Sequence, residues 1–189
     1  MKITSAEFKK GIRGTDSILS EPKLQVAFIG RSNVGKSSLM NCLLNRTDLV
    51  KSGKMPGKTL ELNFFLVNNK FYFVDLPGYG YAKMPGEVRE QLARMIQWYL
   101  FDTEVSNRKV VLIFDAKAGP SEMDMEMLRM LRENGLETIV VINKIDLLNQ
   151  KERHAQVKKI EMETFGAELI LCSTKTKEGR EEILTRIFE

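Results

Sequence analysis

An α/β fold, with helices on both faces of a mixed, mostly parallel sheet, is predicted for this chain of 189 residues. Short apolar runs alternate with amphipathic stretches from Leu24 to the C-terminus, an order typical of parallel strands joined by helices. The hydrophobic fraction of 43% and the charged fraction of 29% are those of a globular protein. The length suits one domain with a single core.

Six apolar runs are predicted to form strands, and several are rich in β-branched or aromatic residues. They cover residues 24–29, 60–67, 71–74, 110–114, 138–142 and 168–171. Only Asn68, Asn69 and Lys70 separate the second run from the third, which is too short for a parallel crossover. We therefore expect these two strands to form an antiparallel hairpin, and the six-stranded sheet to be mixed.

Helical spacing of apolar residues predicts three one-faced helices between and after these strands. The apolar positions fall within residues 88–99, 123–131 and 183–187. Residues 1–22 show weak periodicity and end at Pro22. They are interpreted as an N-terminal extension in front of a domain that spans residues 23–189.

A glycine-rich loop follows the first predicted strand directly and opens a helix. Its sequence, GRSNVGKS at residues 30–37, matches the pattern GxxxxGKS of a P-loop. Lys36 is expected to reach the β- and γ-phosphates of a nucleotide, and the Ser37 hydroxyl to ligate Mg²⁺. The candidate nucleotide-binding residues here are Gly30, Arg31, Ser32, Asn33, Val34, Gly35, Lys36, Ser37 and Ser38.

A second motif, DLPG at residues 75–78, ends the third predicted strand. Asp75 can hold the Mg²⁺ shell, and the backbone N–H of Gly78 can sense the γ-phosphate. Asp115 also ends an apolar strand but has no glycine three residues later. Asp115 is therefore interpreted as a strand-end carboxylate or as a residue that supports the site indirectly.

The third motif, NKID at residues 143–146, follows the fifth predicted strand and determines the base. The Asp146 carboxylate can accept hydrogen bonds from N1–H and the N2 amino group of guanine, a donor pair that adenine lacks. Asn143, Lys144 and Asp146 are therefore candidate GTP-binding residues. After the last strand, Ser173, Thr174 and Lys175 form a short loop expected to close over the base through backbone N–H groups.

One motif remains to be placed between the P-loop helix and the hairpin, and two threonines compete for it. Thr47 follows the first helix and suits a cap or turn, whereas Thr59 ends the run PGKT just before the next strand. We choose Thr59, with Gly57 and Lys58 as neighbouring nucleotide contacts. The predicted catalytic residues are then Lys36, Thr59 and Gly78, and the predicted Mg²⁺ ligands are Ser37, Thr59 and Asp75.

With these motifs in order, the chain resembles the EngB (also YsxC or YihA) group of bacterial GTPases, within the Era-like class. The runs GRSNVGKSSLMN (30–41), MPGKTLELNFF (55–65), VDLPGYGYAK (74–83) and NKID (143–146) carry the resemblance. It implies a P-loop GTPase domain over residues 23–189, GTP and GDP as ligands, and Mg²⁺ as cofactor. It also implies a role in assembly of the large ribosomal subunit, with that subunit or its precursor, through ribosomal RNA and ribosomal proteins, as partner.

Three single residues refine what the resemblance implies. Asn143 stands where members of this group commonly have threonine. Tyr79 stands where Ras-like proteins have the glutamine that orients the attacking water, so slow hydrolysis is expected. Asn33 matches the asparagine that helps hold K⁺ against the phosphates in Era-like relatives, although an asparagine in a loop can instead serve the turn geometry alone.

Composition bears on location and partners. No apolar run approaches a length of about 18 residues, which a membrane span requires. The N-terminus does not begin like a signal peptide. A cytoplasmic monomer without membrane contact is therefore expected. Cys42 and Cys172 are the two cysteines and His154 the single histidine, which favours core thiols over disulfides or a zinc site. The net charge of +4 and the pI near 9.0 favour an acidic partner such as RNA only modestly.

The motifs also bear on functions other than the ribosomal one. A P-loop kinase would leave NKID and Thr59 without a role. A GTPase switch in cell division or septation, acting through a protein partner, stays open as the alternative. Any RNA contacts would come from basic clusters of the GTPase domain itself. The alternative is that these clusters are the solvated faces of ordinary helices and loops. The clusters are Lys9, Lys10 and Arg13; Lys51, Lys54 and Lys58; and Lys151, Arg153, Lys158 and Lys159.

Overall fold

The computed structural model describes residues 1–51, 60–81 and 85–189. These residues form seven strands and five α-helices. The strands are β1 Ala6–Ile12, β2 Leu24–Gly30, β3 Leu62–Val67, β4 Phe71–Asp75, β5 Arg108–Asp115, β6 Glu137–Asn143 and β7 Leu169–Leu171. The helices are α1 Lys36–Leu44, α2 Gly86–Gln97, α3 Glu122–Glu133, α4 Gln150–Glu163 and α5 Arg180–Phe188.

The strands form one mixed sheet in the order β1-β3-β4-β2-β5-β6-β7. Strands β3 and β4 pair antiparallel, with Val67 opposite Phe71, so the predicted hairpin is confirmed. Strands β4, β2, β5, β6 and β7 run parallel to one another. Their carboxyl ends therefore meet at one edge of the sheet, where ligands bind in open α/β folds.

The sheet has seven strands rather than the predicted six, because β1 pairs antiparallel with β3. Its register places Ala6 opposite Val67 and Ile12 opposite Leu62, with an irregularity between Phe8 and Lys10. That bulge breaks the alternation of inward and outward side chains, which removes the period-two signal that marks a strand in a sequence.

Helices cover both faces of the sheet, as predicted. The apolar sides of α1 and α5 share one core with Phe28, Val111 and Val141. The apolar sides of α2, α3 and α4 share the other core, with Ala27 and Leu112 of the same strands. Alternate residues of the central strands thus enter opposite cores, and for this reason these strands are apolar throughout.

Two cysteines lie at different depths. Cys172 is buried, and burial raises the pKa of its thiol to about 12. Cys42 is half-buried, and burial raises the pKa of its thiol as well. The prediction of a core thiol is therefore correct for Cys172 and only partly correct for Cys42. In the described part of the chain, the helices are too short or too polar to cross a membrane.

Candidate nucleotide-binding site

The glycine-rich loop connects the end of β2 to the first residue of α1. Gly35 has φ +96° and Asn33 has φ +66°, and both values lie in the left-handed region that side chains disfavour. A Cβ on Gly35 would overlap the side-chain amide of Asn143, and a Cβ on Gly30 would come within 2.7 Å of the Ile113 carbonyl oxygen. Only glycine fits these two positions, which explains the spacing of the motif.

The loop ends at a helix terminus suited to an anion. Gly35 is the N-cap of α1 and, having no side chain, supplies no capping hydrogen bond to the first turn. Lys36 and Ser37 form that turn, and both are half-buried. Free N–H groups and the positive end of the helix dipole at this place favour a phosphate group.

Lys36 forms an ion pair with Asp75, which is the last residue of β4. The two side chains are only 11% and 14% exposed. Two predicted phosphate- and metal-binding groups are thus brought into contact from elements far apart in sequence. Because each partly desolvated charge needs a partner, this pair links the start of α1 to the end of β4, and a phosphate group can replace Asp75 as the partner of Lys36.

Gly78 packs against the P-loop through its backbone. A Cβ at this position would lie 3.2 Å from the Ser32 nitrogen and 3.3 Å from the Gly30 oxygen. The next residue, Tyr79, continues the contact, since its N–H donates to Gly30 at 3.3 Å and its carbonyl accepts from Ser32 at 2.7 Å. The DxxG segment is therefore positioned to respond to a ligand held by the loop.

The Tyr79 side chain points into the core, where it is 5% exposed. Its hydroxyl donates to Asp124 Oδ1 at 2.6 Å. Asp124 Oδ2 in turn accepts hydrogen bonds from the N–H and the hydroxyl of Ser121, at 2.8 and 2.7 Å, at the start of α3. Burial and the neighbouring carboxylate raise the pKa of the Tyr79 phenol. A phenol committed to this contact is not placed to orient a water molecule.

The NKxD motif braces the P-loop. Asn143 is 1% exposed, and its Nδ2 donates to the Val34 carbonyl oxygen at 3.0 Å. Lys144 Nζ donates to the Asn33 carbonyl oxygen at 2.6 Å and to Asp115 Oδ2 at 2.7 Å. Two of the three polar side chains of this motif thus hold the loop.

Asp115 acts as the counter-ion of Lys144. Burial alone would raise the pKa of this carboxylate, but hydrogen bonds from Lys144 and from the N–H groups of Ala118 and Lys117 outweigh it, and the pKa lies below its ordinary value. The sequence left two interpretations of Asp115 open, a strand-end carboxylate or a residue that supports the site indirectly. The pairing of Asp115 with Asn143 in the β5–β6 register explains that role.

The predicted base loop lies beside Asp146. The Ser173 hydroxyl donates to Asp146 Oδ1 at 2.6 Å and accepts from the Thr176 N–H at 3.2 Å. Ser173 is buried, Thr174 half-buried, and Lys175 exposed. The carboxylate is therefore oriented from one side, while the residue itself is exposed to solvent.

Most predicted site residues lie together at one edge of the sheet. The predictions for Gly57, Lys58 and Thr59 fall outside the described residues. Sequence reasoning missed the contact of Asp124 with Tyr79. The run SEMD at residues 121–124 resembles a helix N-cap with an acid three residues later, and this signal predicts the Ser121–Asp124 capping box but not the buried phenol.

Comparisons with known proteins agree with this geometry. The model of a family described as 50S ribosome-binding GTPase matches residues 25–144, and that of the elongation factor Tu GTP-binding domain matches residues 106–189. The probable GTP-binding protein EngB of Fusobacterium nucleatum is 40% identical over 100% of this chain and 98% of its own. The EngB relative from Syntrophotalea carbinolica is 42% identical over 99% of this chain and 91% of its own.

Solved structures give the same result. A crystal structure of a probable GTP-binding protein EngB superposes with a TM-score of 0.74 and 28% identity, over 87% of this chain and 96% of that one. Era of Aquifex aeolicus bound to GDP·AlF4⁻ superposes with a TM-score of 0.67 and 24% identity, over 86% of this chain and 55% of that one, and shares the fold. Because the family match covers most of the chain and relatives near 40% identity match it end to end, the chain belongs to the EngB family of GTP-binding proteins and is a GTPase.

Proposed function

We propose that this GTPase is a switch in assembly of the large ribosomal subunit, and that it binds this subunit or its precursor, through ribosomal RNA and ribosomal proteins, in the cytoplasm. The observation that carries the proposal is the match of residues 25–144 to a family described as 50S ribosome-binding GTPases. That range holds the P-loop, the DxxG segment and the first half of NKxD. The net charge of +4 suits a partner rich in phosphate.

The proposed roles in the nucleotide site follow from the contacts above. Lys36 and the N–H groups at the start of α1 bind the β- and γ-phosphates, Gly78 senses the γ-phosphate, and Asp146 selects guanine. The remaining P-loop residues and Asn143, Lys144, Ser173, Thr174 and Lys175 hold the loop and the base in place. The helix terminus without a side-chain cap and the Lys36–Asp75 pair support these assignments.

Mg²⁺ is the proposed metal, with Ser37 and Asp75 as ligands and Thr59 as a third that lies outside the described residues. Among the described residues, no cluster of three or more His, Cys, Asp or Glu side chains is arranged to hold a metal by itself. Such a sparse donor set fits Mg²⁺, which proteins commonly hold with one or two side chains, while phosphates and water supply the rest. Bound there, the ion would neutralise phosphate charge.

Co-sedimentation with purified large subunits, in GTP analogue, in GDP and without nucleotide, tests the proposed function. We expect the tightest binding with the GTP analogue, because Gly78 and its contacts to the P-loop report the γ-phosphate. Raising the salt concentration should weaken binding, since contacts to RNA phosphates release counterions. In Lys36→Ala, which loses the ammonium from the phosphate site, the preference for the GTP analogue should disappear. Equal binding in all three nucleotide states, or none, would contradict the proposal.

A K⁺ ion held by Asn33 is proposed to assist the slow hydrolysis. Asn33 is exposed in the loop and adopts a left-handed conformation with its carbonyl oxygen bonded to Lys144. We expect faster GTP hydrolysis in K⁺ than in Na⁺ at equal ionic strength. Asn33→Gly keeps the turn conformation but lacks the amide, so it should abolish this difference and retain GDP binding. Equal rates in the two salts for the unchanged protein would leave Asn33 as a turn residue only.

A further inference from the structure

A groove lies away from the nucleotide site, between the end of β1 and the outer side of α2. Its volume is ≈ 360 Å³, within the range of about 300–1,000 Å³ of known ligand pockets. Arg13 and Thr15 line it from the β1 side, and Gln91, Arg94, Met95 and Trp98 line it from α2 and the turn that follows. None of the groove residues that the structure describes is acidic.

The groove has an apolar floor and a basic rim. Met95 and Trp98 are half-buried and pack on the core beneath α2. Arg13 and Arg94 have side chains that are 61% and 70% exposed. Arg13 pairs with Glu61 at 2.9 Å and Arg94 with Glu90 at 3.7 Å. The Arg94–Glu90 pair is exposed on both sides and contributes little to stability, whereas Glu61 is only 27% exposed and accepts two hydrogen bonds from Arg13. Both guanidinium groups are themselves exposed and can bind a phosphate in place of a carboxylate or beside it.

Trp98 is held at this place by an unusual backbone. The chain leaves α2 through a π-helical turn at Trp98–Asp102, and wide turns of this kind occur often at functional sites. Arg108 supports the turn from below, donating to the Leu100 carbonyl oxygen at 2.6 Å and lying 4.5 Å from the centre of the Tyr99 ring. A half-buried aromatic side chain and two arginines thus line the same groove.

We propose that this groove binds single-stranded RNA, with an unpaired base stacked on Trp98 and the adjoining phosphates on Arg13 and Arg94. Aromatic rings and guanidinium groups are the side chains on which exposed RNA bases stack. An acidic peptide would also suit the arginines but would make no use of the tryptophan. The proposal deepens the ribosomal function proposed above and rests on it, because it names the chemistry by which this domain contacts ribosomal RNA.

The position of α2 connects the groove to the nucleotide. This is the first helix that the structure describes after Gly78, and its C-terminal half forms one wall of the groove. A change in the DxxG segment on GTP binding therefore acts on the same helix that holds Arg94 and Met95. The groove is expected to bind RNA with different affinity in the GTP and GDP states.

Intrinsic fluorescence tests the proposal directly, because Trp98 is the only tryptophan of the chain. A short oligouridylate or oligoadenylate should quench the emission in a saturable way, more strongly at low salt, and a duplex of the same length should quench it less. Quenching by polyglutamate but not by the oligonucleotides would assign the groove to an acidic protein. No change with any of these probes would overturn the proposal.

Variants distinguish RNA binding in the groove from a general attraction of RNA to positive charge. Arg94→Gln should weaken oligonucleotide binding severalfold and reduce its salt dependence by about one counterion. The matched control is Arg89→Gln on the same helix, which is exposed and outside the groove. It should bind like the unchanged protein. Trp98→Leu, assayed with fluorescently labelled RNA, should bind about 5- to 150-fold more weakly, and GDP binding checks that it folds. Equal losses in Arg94→Gln and Arg89→Gln would contradict a defined site.

The same variants distinguish this proposal from the ribosomal one. If the unchanged protein binds oligonucleotides but not large subunits in any nucleotide state, the ribosomal function fails while the groove stands. If it binds large subunits, Arg94→Gln and Trp98→Leu should sediment with them more weakly than Arg89→Gln. Undiminished sedimentation of both groove variants would show that the ribosome contacts another surface and would overturn the groove as its RNA site.

Discussion

Asn143 joins the end of β6 to the P-loop. Its buried Nδ2 holds the Val34 carbonyl oxygen, and its Oδ1 is buried without a hydrogen-bond partner among the described residues. A buried acceptor of this kind costs about 1–3 kcal/mol unless something satisfies it. A donor that reaches this oxygen would remove that cost.

Asp115 holds Lys144, which in turn holds the P-loop, and the contribution of this ion pair to stability can be tested. Because its pKa is lowered from the ordinary value of 3.8 by Lys144 and two backbone N–H groups, its contribution to stability is present above about pH 4. That contribution is lost as the pH falls through the lowered pKa. We expect Asp115→Asn to reduce the free energy of unfolding by about 1–2 kcal/mol at neutral pH.

The measurement is urea unfolding of nucleotide-free protein between pH 7 and about pH 3. The difference between the unchanged protein and Asp115→Asn should be constant down to about pH 4 and then shrink. Asp102→Asn, at an exposed carboxylate, serves as the control and should stay within about 0.5 kcal/mol at neutral pH. A difference for Asp115→Asn that grows toward acid pH would contradict the ion pair with Lys144.

The positions of the motifs in the fold were predicted well, because each motif is a short contiguous pattern directly beside a predicted strand. The GxxxxGKS run joins β2 to α1, and NKID begins at the last residue of β6, close to where the sequence placed them. The partners of these motifs were not predicted. The Lys144–Asp115 and Tyr79–Asp124 contacts join residues 29 and 45 positions apart. Which of them meet depends on sheet register and helix packing, and a single sequence does not show either.

At the scale of elements, the predictions succeeded where apolar periodicity was strong and failed where it was weak. Strands β2 to β7 and helices α2, α3 and α5 were all expected near their observed positions. Helix α4 was not identified, because it is largely polar and buries Ile160 alone. Its start is instead marked by a capping box between Asn149 and Glu152, a local signal that hydrophobic spacing does not contain.

Strand β1 leads to a prediction about the N-terminal extension over residues 1–22. Ile12 is 5% exposed and lies in the same core as Leu62, its partner across the sheet. Ile12→Ala should therefore lower the free energy of unfolding by about 2–4 kcal/mol, since it leaves a cavity in that core. Glu7→Ala, at an exposed position of the same strand, should change it by less than about 0.5 kcal/mol. Denaturant unfolding measures both, and equal small effects would mean that the extension is dispensable for folding.

At the scale of the whole molecule, the nucleotide site joins elements that are otherwise separate. The P-loop ends β2, Asp75 ends β4, NKxD ends β6, and the base loop follows β7. Arg180, at the start of α5, adds a further link by donating to the Cys42 and Leu43 carbonyl oxygens near the end of α1. A ligand that contacts all of these segments stabilises the folded domain and not the unfolded chain, so its affinity appears directly in the thermal stability.

GDP at about 100 times its Kd should therefore add about 2.7 kcal/mol and raise the Tm by roughly 5–10 °C. In Asp146→Asn this shift should nearly vanish with GDP and appear instead with xanthosine diphosphate. The reason is that the new amide N–H₂ can donate to the xanthine C2 oxygen, while the amide oxygen still accepts from Ser173, as Asp146 Oδ1 does now. ADP should shift neither protein, and calorimetry or a fluorescence melt measures all six combinations. An Asp146→Asn protein that keeps the full GDP shift would remove this carboxylate from base recognition and leave Ser173 to Lys175 as the only described segment to select guanine.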